Sequence, residues 1–102
     1  MPVASIIVLS YNQAEYLPEA IESALNQNFK EEYEVIVVDD GSTDNSVEVA
    51  KKYPVTVYEM KENTASWCSI PLNYATERAS GKYIGHCASD DILFPNYLSD
   101  TI

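Results

Sequence analysis

Val35-Ile36-Val37-Val38-Asp39-Asp40-Gly41-Ser42 is the stretch that decides the fold. Four consecutive apolar residues, three of them valine, read as a strand buried on both faces, the habit of a parallel sheet. Two aspartates stand at its C-terminal end, and Gly41-Ser42 break the strand. In open α/β sheets, ligands bind in the crevice outside the carboxyl ends of the strands, so an acidic pair there is placed to read a ligand. Aspartate also stops strands and caps helices. Neighbouring strand residues point to opposite faces, so Asp39 and Asp40 cannot both address one ligand atom. Asp39 is the expected structural member of the pair.

Upstream, residues 3–9 form a first strand that ends in Ser10-Tyr11-Asn12. A helix is expected over residues 14–27, where Tyr16, Leu17, Ala20, Ile21, Ala24 and Leu25 make one stripe on a 3.6-residue period. Glu15, Glu19 and Glu22 lie off that stripe and face solvent. Strand, helix and strand make a right-handed βαβ unit.

Downstream, a second helix is expected over residues 44–53. Asp44 or Asn45 would be its N-cap, Asn45 with Glu48 would form a capping box, and Pro54 would close it. Residues 55–60 alternate as a strand near a sheet edge, and residues 61–69 read as a loop. Pro71 suits the first turn of a third helix with Leu72, Ala75 and Ala79 on its apolar face, and Gly81 is placed to end it. Residues 82–87 form a fourth strand, Ala88-Ser89-Asp90-Asp91 follow, and another helix begins near Pro95. The pattern is that of a Rossmann-like three-layer α/β/α domain, one unit over residues 1–102, with a mostly parallel sheet of about four strands.

Composition bounds the function. A chain of 102 residues with 46% hydrophobic and 22% charged residues can build one globular core. Its net charge of -10 argues against nucleic acid, whose partners carry basic patches. An anionic ligand then requires a bridging cation. Cys68 and Cys87 are expected as buried thiols in a reducing compartment. No apolar run approaches the roughly 20 residues of a membrane helix, and no signal peptide is visible. A cytoplasmic location is expected, at the inner face of the membrane if the piece belongs to a longer, membrane-attached protein.

Three strand ends, Ser10-Tyr11-Asn12, Asp39-Asp40-Gly41-Ser42 and Ser89-Asp90-Asp91, would open on one rim of the sheet. Carboxylates without a basic cluster suit Mg²⁺ or Mn²⁺, which take one or two carboxylates plus substrate phosphates. The remaining carboxylates suit a base imide N–H or a ribose hydroxyl, and Tyr11 could lie against a flat ring. Spacing alone therefore indicates a metal-assisted nucleotide site. His86, the only histidine, is expected as a core or supporting residue, and Trp67 and Tyr74 as packing against the loop. For Asn12, capping the first helix and touching the ligand are equally open readings.

These blocks resemble the N-terminal, nucleotide-binding part of family-2 glycosyltransferases of the GT-A fold. The similar pieces are Ser10-Tyr11-Asn12 with Tyr16-Leu17 and the helix residues 20–27, then Val37 to Asp44 with Ser46, then Asn73, residues 79–84 and Ser89-Asp90-Asp91. Three blocks in order, at fitting separations, span nearly the whole chain. The resemblance implies that Leu9 and Tyr11 line a base pocket, with Ser10 and Asn12 beside them, and that Asp40 accepts from uracil or another base. It implies that Ser89-Asp90-Asp91 is the form here of the DxD motif, with Asp90 near the ribose and diphosphate. Asp91, with Asp90, would hold the Mn²⁺ or Mg²⁺. The implied reaction passes a sugar from a nucleoside-diphosphate sugar, UDP being the expected nucleotide, to a hydroxyl of a glycan or lipid-linked acceptor, usually with inversion.

Two residues depart from the family pattern. Ala88 stands where the family often has aspartate, and Leu72 where an arginine is common, so the metal rests on Asp90 and Asp91 and the resemblance does not carry over the arginine's cationic contact to the diphosphate. The general base and the acceptor half are expected downstream of Ile102, so these residues alone are expected to bind donor without turnover. A phospho-acceptor receiver domain would carry its acidic pair after the first strand, where Ser-Tyr-Asn stands here. The alternative class is a non-catalytic nucleotide- or metal-binding or assembly module. An exposed sheet edge would favour self-association.

Overall fold

The computed structural model describes residues 2–60, 69–88 and 97–98. In chain order the elements are β1 (Ala4–Ser10), α1 (Leu17–Leu25), β2 (Tyr33–Asp39), α2 (Ser46–Ala50), β3 (Thr56–Glu59), α3 (Ser69–Arg78) and β4 (Tyr83–Ala88). All four strands are parallel in the order β3-β2-β1-β4, so the two β-branched runs occupy the centre and β3 lies at an edge as expected. The register pairs Leu9 with Val38, Ser10 with Asp39, and Leu9 with Ala88 on the other side.

Strand alternation divides the core. Ala4, Ile6, Val8, Val35 and Val37 face α1 and α2, while Ile7, Leu9, Ile36 and Val38 face α3. The result is the three-layer α/β/α arrangement. Fully burying each of these valine, leucine and isoleucine side chains contributes roughly 1.5–3 kcal/mol, which is why the central strands tolerate apolar residues on both faces.

The helices are shorter than their periodicity suggests. α1 begins at Leu17, after Tyr16 as N-cap, with proline in its first turn and Glu19 favouring the positive end of the helix dipole. Leu17, Ala20, Ile21 and Ala24 are buried, whereas Tyr16, counted on the apolar stripe, is 53% exposed because it sits outside the helix. Glu15, Glu19 and Glu22 are exposed as expected. α2 runs only from Ser46 to Ala50, and the Asn45–Glu48 capping box does not form, since Asn45 makes no side-chain cap. Asp44 does that work instead by accepting from the Ser46 amide, at 3.0 Å, and from the Ser46 hydroxyl.

α3 starts at Ser69 with Pro71 in its first turn and ends at Arg78, three residues before Gly81. Gly81 serves a different purpose. Its amide donates to Ser5 Oγ at 2.8 Å, and a Cβ there would collide with the Ala4 and Ser5 backbone. Glu34 completes that knot, accepting from the Ser5 hydroxyl and, at 2.6 Å, from the Ser80 amide.

His86 is exposed, which corrects its expected place in the core. β4 is an edge strand, and α3 packs over β1 and β2, so the α3-facing side of β4 stays open at Ile84 and His86. Among the described residues, Tyr74 packs edge-on against Tyr58 of β3 with the Arg78 guanidinium over its ring. Cys87 is a buried thiol. Ser69, expected as the last residue of the loop over residues 61–69, is the first of α3, while the rest of that loop with Trp67 and Cys68, and most of the helix expected from Pro95, lie outside the described residues, of which Tyr97 and Leu98 are helical. Among the described residues no helix is long and apolar enough to cross a membrane.

Candidate functional site

Two clefts differ in size and in chemistry. The larger, about 610 Å³, is an open groove at the N-terminal ends of β2 and β3, between Leu25, Tyr33, Glu34, Pro54 and Thr56. The smaller, about 100 Å³, lies at the C-terminal ends of β1 and β2 and is lined by Leu9, Ser10, Tyr11, Val38, Asp40 and Pro71, with Gln13, which the sequence reading did not single out. The smaller one is the candidate site. It stands where parallel α/β sheets expose ligand-binding loops, and it joins an apolar floor to one carboxylate.

Alternation places each residue. Leu9 and Val38, paired across β1 and β2, face α3 and form the floor with the buried Pro71. Asp40, one residue past the end of β2, is 7% exposed, and its amide donates to the Ser10 carbonyl at 2.8 Å, which carries the ladder to the rim. Tyr11 is 44% exposed and forms a wall. Ser10 belongs to the lining through its strand, but alternation turns its side chain to the opposite face with Asp39. Its Oγ is buried there and, among the described residues, takes no hydrogen-bond partner.

Asp39 is buried at 1% exposure and holds the turn that follows it. Its carboxylate accepts the Ser42 amide at 2.8 Å and the Ser42 hydroxyl at 2.6 Å. Gly41 is left-handed, with φ 73°, a conformation that glycine adopts without cost. Asp39 therefore builds the β2 rim loop and Asp40 faces the cleft.

Asn12 does not cap α1, whose N-cap is Tyr16. Its carboxamide oxygen accepts the Thr43 amide at 2.7 Å, and its own amide donates to Ser42 Oγ at 2.8 Å. Asp44 reaches back to accept the Ala14 amide at 3.2 Å. The Ser46 hydroxyl holds the Asp44 carboxyl below the usual aspartate range. Partial burial opposes that shift, and the Ser46 and Ala14 amides add to it. Strand-end composition made these polar residues visible as a group. Which of them tie loop to loop is set by pairing across about thirty residues, and no local pattern carries that.

Leu9, Ser10, Tyr11 and Asp40 are thus brought together, with Asn12 bordering them. Ser89, Asp90 and Asp91 lie outside the described residues. β4 delivers the chain toward them at Ala88, beside Leu9. Among the described residues no group of three acidic, histidine or cysteine side chains could hold a metal.

Comparison with known proteins defines the class. The model of the Glycosyl transferase family 2 matches residues 5–102, and the chain belongs to that family. An uncharacterized glycosyltransferase of Rickettsia typhi is 40% identical over 99% of this chain, and the poly(ribitol-phosphate) beta-N-acetylglucosaminyltransferase TarP of Staphylococcus aureus is 35% identical over 98%. The chain spans 31% and 32% of those two relatives. Among solved structures, S. aureus TarS in complex with UDP superposes with TM-score 0.89 at 33% identity, over 99% of this chain and 31% of that one. The mannosyltransferase PcManGT of Pyrobaculum calidifontis, in complex with GDP-Man and Mn²⁺, superposes with TM-score 0.80 at 27% identity, over 94% of this chain and 29% of that one. The fold is that of GT-A glycosyltransferases.

Proposed function

We propose that this chain is the donor-binding part of a glycosyltransferase that moves a sugar from a nucleoside-diphosphate sugar, a UDP-sugar first among them, to an acceptor hydroxyl with inversion. The observation that carries the reading is the meeting of Leu9, Tyr11 and Asp40 in one cleft at the C-terminal rim. A base would lie between the Tyr11 ring and the apolar floor, and the Asp40 carboxylate would accept its imide N–H. TarS complexes with UDP and with UDP-GlcNAc support a uridine nucleotide.

Asp90 would approach the ribose and diphosphate, and Asp91 with Asp90 would hold Mn²⁺ or Mg²⁺. The GDP-Man and Mn²⁺ complex of PcManGT supports a divalent cation beside the donor diphosphate. When bound, the cation supplies charge neutralisation to the diphosphate leaving group. A net charge of -10 is in keeping with a cation accompanying a diphosphate ligand. In the transfer, the bond from the sugar's anomeric carbon to the diphosphate oxygen breaks as the acceptor oxygen bonds to that carbon. The acceptor proton passes to a base outside these residues.

Calorimetric titration with UDP, GDP and ADP, each with and without Mn²⁺, tests the reading. UDP binding that strengthens with Mn²⁺ supports it. Absence of binding by every nucleotide to folded protein would refute it and favour an assembly module.

A further inference from the structure

Asn12 has φ 49° and is the one non-glycine residue with positive φ among the described residues. Asparagine tolerates this left-handed conformation better than most residues, yet the backbone needs a reason to adopt it. The reason lies in the neighbouring loop. The Asn12 carboxamide oxygen takes the Thr43 amide at 2.7 Å and, more loosely, the Asp44 amide and the Thr43 hydroxyl, both at 3.3 Å. Donors converging on one end of the carboxamide fix that end as oxygen. The Asn12 backbone N–H donates to Ser42 Oγ, which in turn donates to Asp39. Asp44 returns the connection by accepting from Ala14. The loop after β1 and the loop after β2 are therefore one hydrogen-bonded unit.

The latch lies directly beside the cleft. Tyr11 precedes Asn12 in the first loop, and Asp40 lies two residues before Ser42 in the second. The Asp40–Ser10 backbone bond fixes the strand ends, and above it hydrogen bonds through Asn12, Ser42 and Asp44 join the two loops. We propose that Asn12 is a positioning residue that sets the separation of Tyr11 and Asp40 for the nucleotide base, and that it acts through Thr43 and Ser42 without touching the ligand. The proposal rests on the nucleotide reading of the cleft.

Two substitutions in the full chain separate its parts. Asn12→Gly keeps the left-handed backbone and removes the carboxamide, while Asn12→Asp keeps an acceptor oxygen. Amide hydrogen exchange at Thr43 and Asp44 reads the latch, and titration with UDP reads the site. Uridine runs alongside, because the added carboxylate of Asn12→Asp repels a diphosphate but not a nucleoside. In Asn12→Gly, exchange at both amides should speed up about tenfold or more, and UDP affinity should fall about tenfold, the loss expected when one or two hydrogen bonds fail to hold a wall in place. Asn12→Asp should restore amide protection and uridine affinity together. Three outcomes overturn the proposal. Asn12→Gly could bind UDP as wild type does, or exchange at Thr43 and Asp44 could be unchanged by it. Asn12→Asp could protect the amides yet bind uridine as weakly as Asn12→Gly, which would place the carboxamide on the nucleotide itself. Failure of the nucleotide reading is distinguishable, since wild type would then bind neither ligand before any residue is changed.

Discussion

Ser42 donates both its amide and its hydroxyl to the carboxylate of Asp39, at 2.8 Å and 2.6 Å. Adjacent aspartates thereby take different tasks. Replacing Asp39 by alanine strands two donors in a half-buried turn and should cost about 3 kcal/mol of stability, at about 1.5–3 kcal/mol per hydrogen bond to a charged group with partial rescue by water. Asp40→Asn is isosteric and should melt close to wild type, while UDP affinity falls about tenfold because the imide N–H loses a charged acceptor. Urea denaturation and UDP titration of the two variants check this. Equal stability losses would contradict the division.

Tyr11 contributes ring area in the proposed site, and its hydroxyl is not part of the argument. Tyr11→Phe should retain UDP affinity within about twofold, and Tyr11→Ala should lose about tenfold, the range expected for an aromatic contact. Titration of both variants gives the comparison. An equal loss in Tyr11→Phe would show that the hydroxyl binds ligand.

Asp44 ties the two rim loops, and its pKa is depressed chiefly by the Ser46 hydroxyl. A depressed folded-state pKa means that the stabilisation is present above the unfolded pKa, near 4, and is lost as pH falls through the folded value. Asp44→Asn should therefore be less stable than wild type at neutral pH, with the gap closing below about pH 4. Melting curves from pH 7 to pH 2.5 measure it. A gap that persists or widens in acid would mean that the charge of Asp44 contributes nothing.

Gly81 meets the β1 backbone so closely that a Cβ has no room. Gly81→Ala should cost about 1–3 kcal/mol, as overpacking against backbone does, and leave the remote rim's UDP affinity per folded molecule unchanged. Combined denaturation and binding would show it. An unchanged midpoint would contradict the close approach.

The strands were legible because β-branched apolar runs buried on both faces have few alternatives, and the acidic rim was legible because those runs end in polar residues. Helix limits were less so. The stripe begins at Tyr16, one residue before the helix forms, and Asn45 with Glu48 matched a capping pattern while Asp44 held the bonds. His86 misled because strand membership does not reveal which part of a sheet a helix covers. Asn12 was visible as a rim residue, but its partners lie about thirty residues away, and only the parallel pairing of β1 with β2 brings them together.

Mapping UDP onto the chain by amide chemical shifts, with Mn²⁺ replaced by diamagnetic Mg²⁺, tests the central claim most directly. Perturbations should concentrate at Leu9, Tyr11, Asn12 and Asp40, at the C-terminal rim. Perturbations centred instead on Leu25, Tyr33 and Val55, in the larger cleft at the opposite rim, would contradict the account.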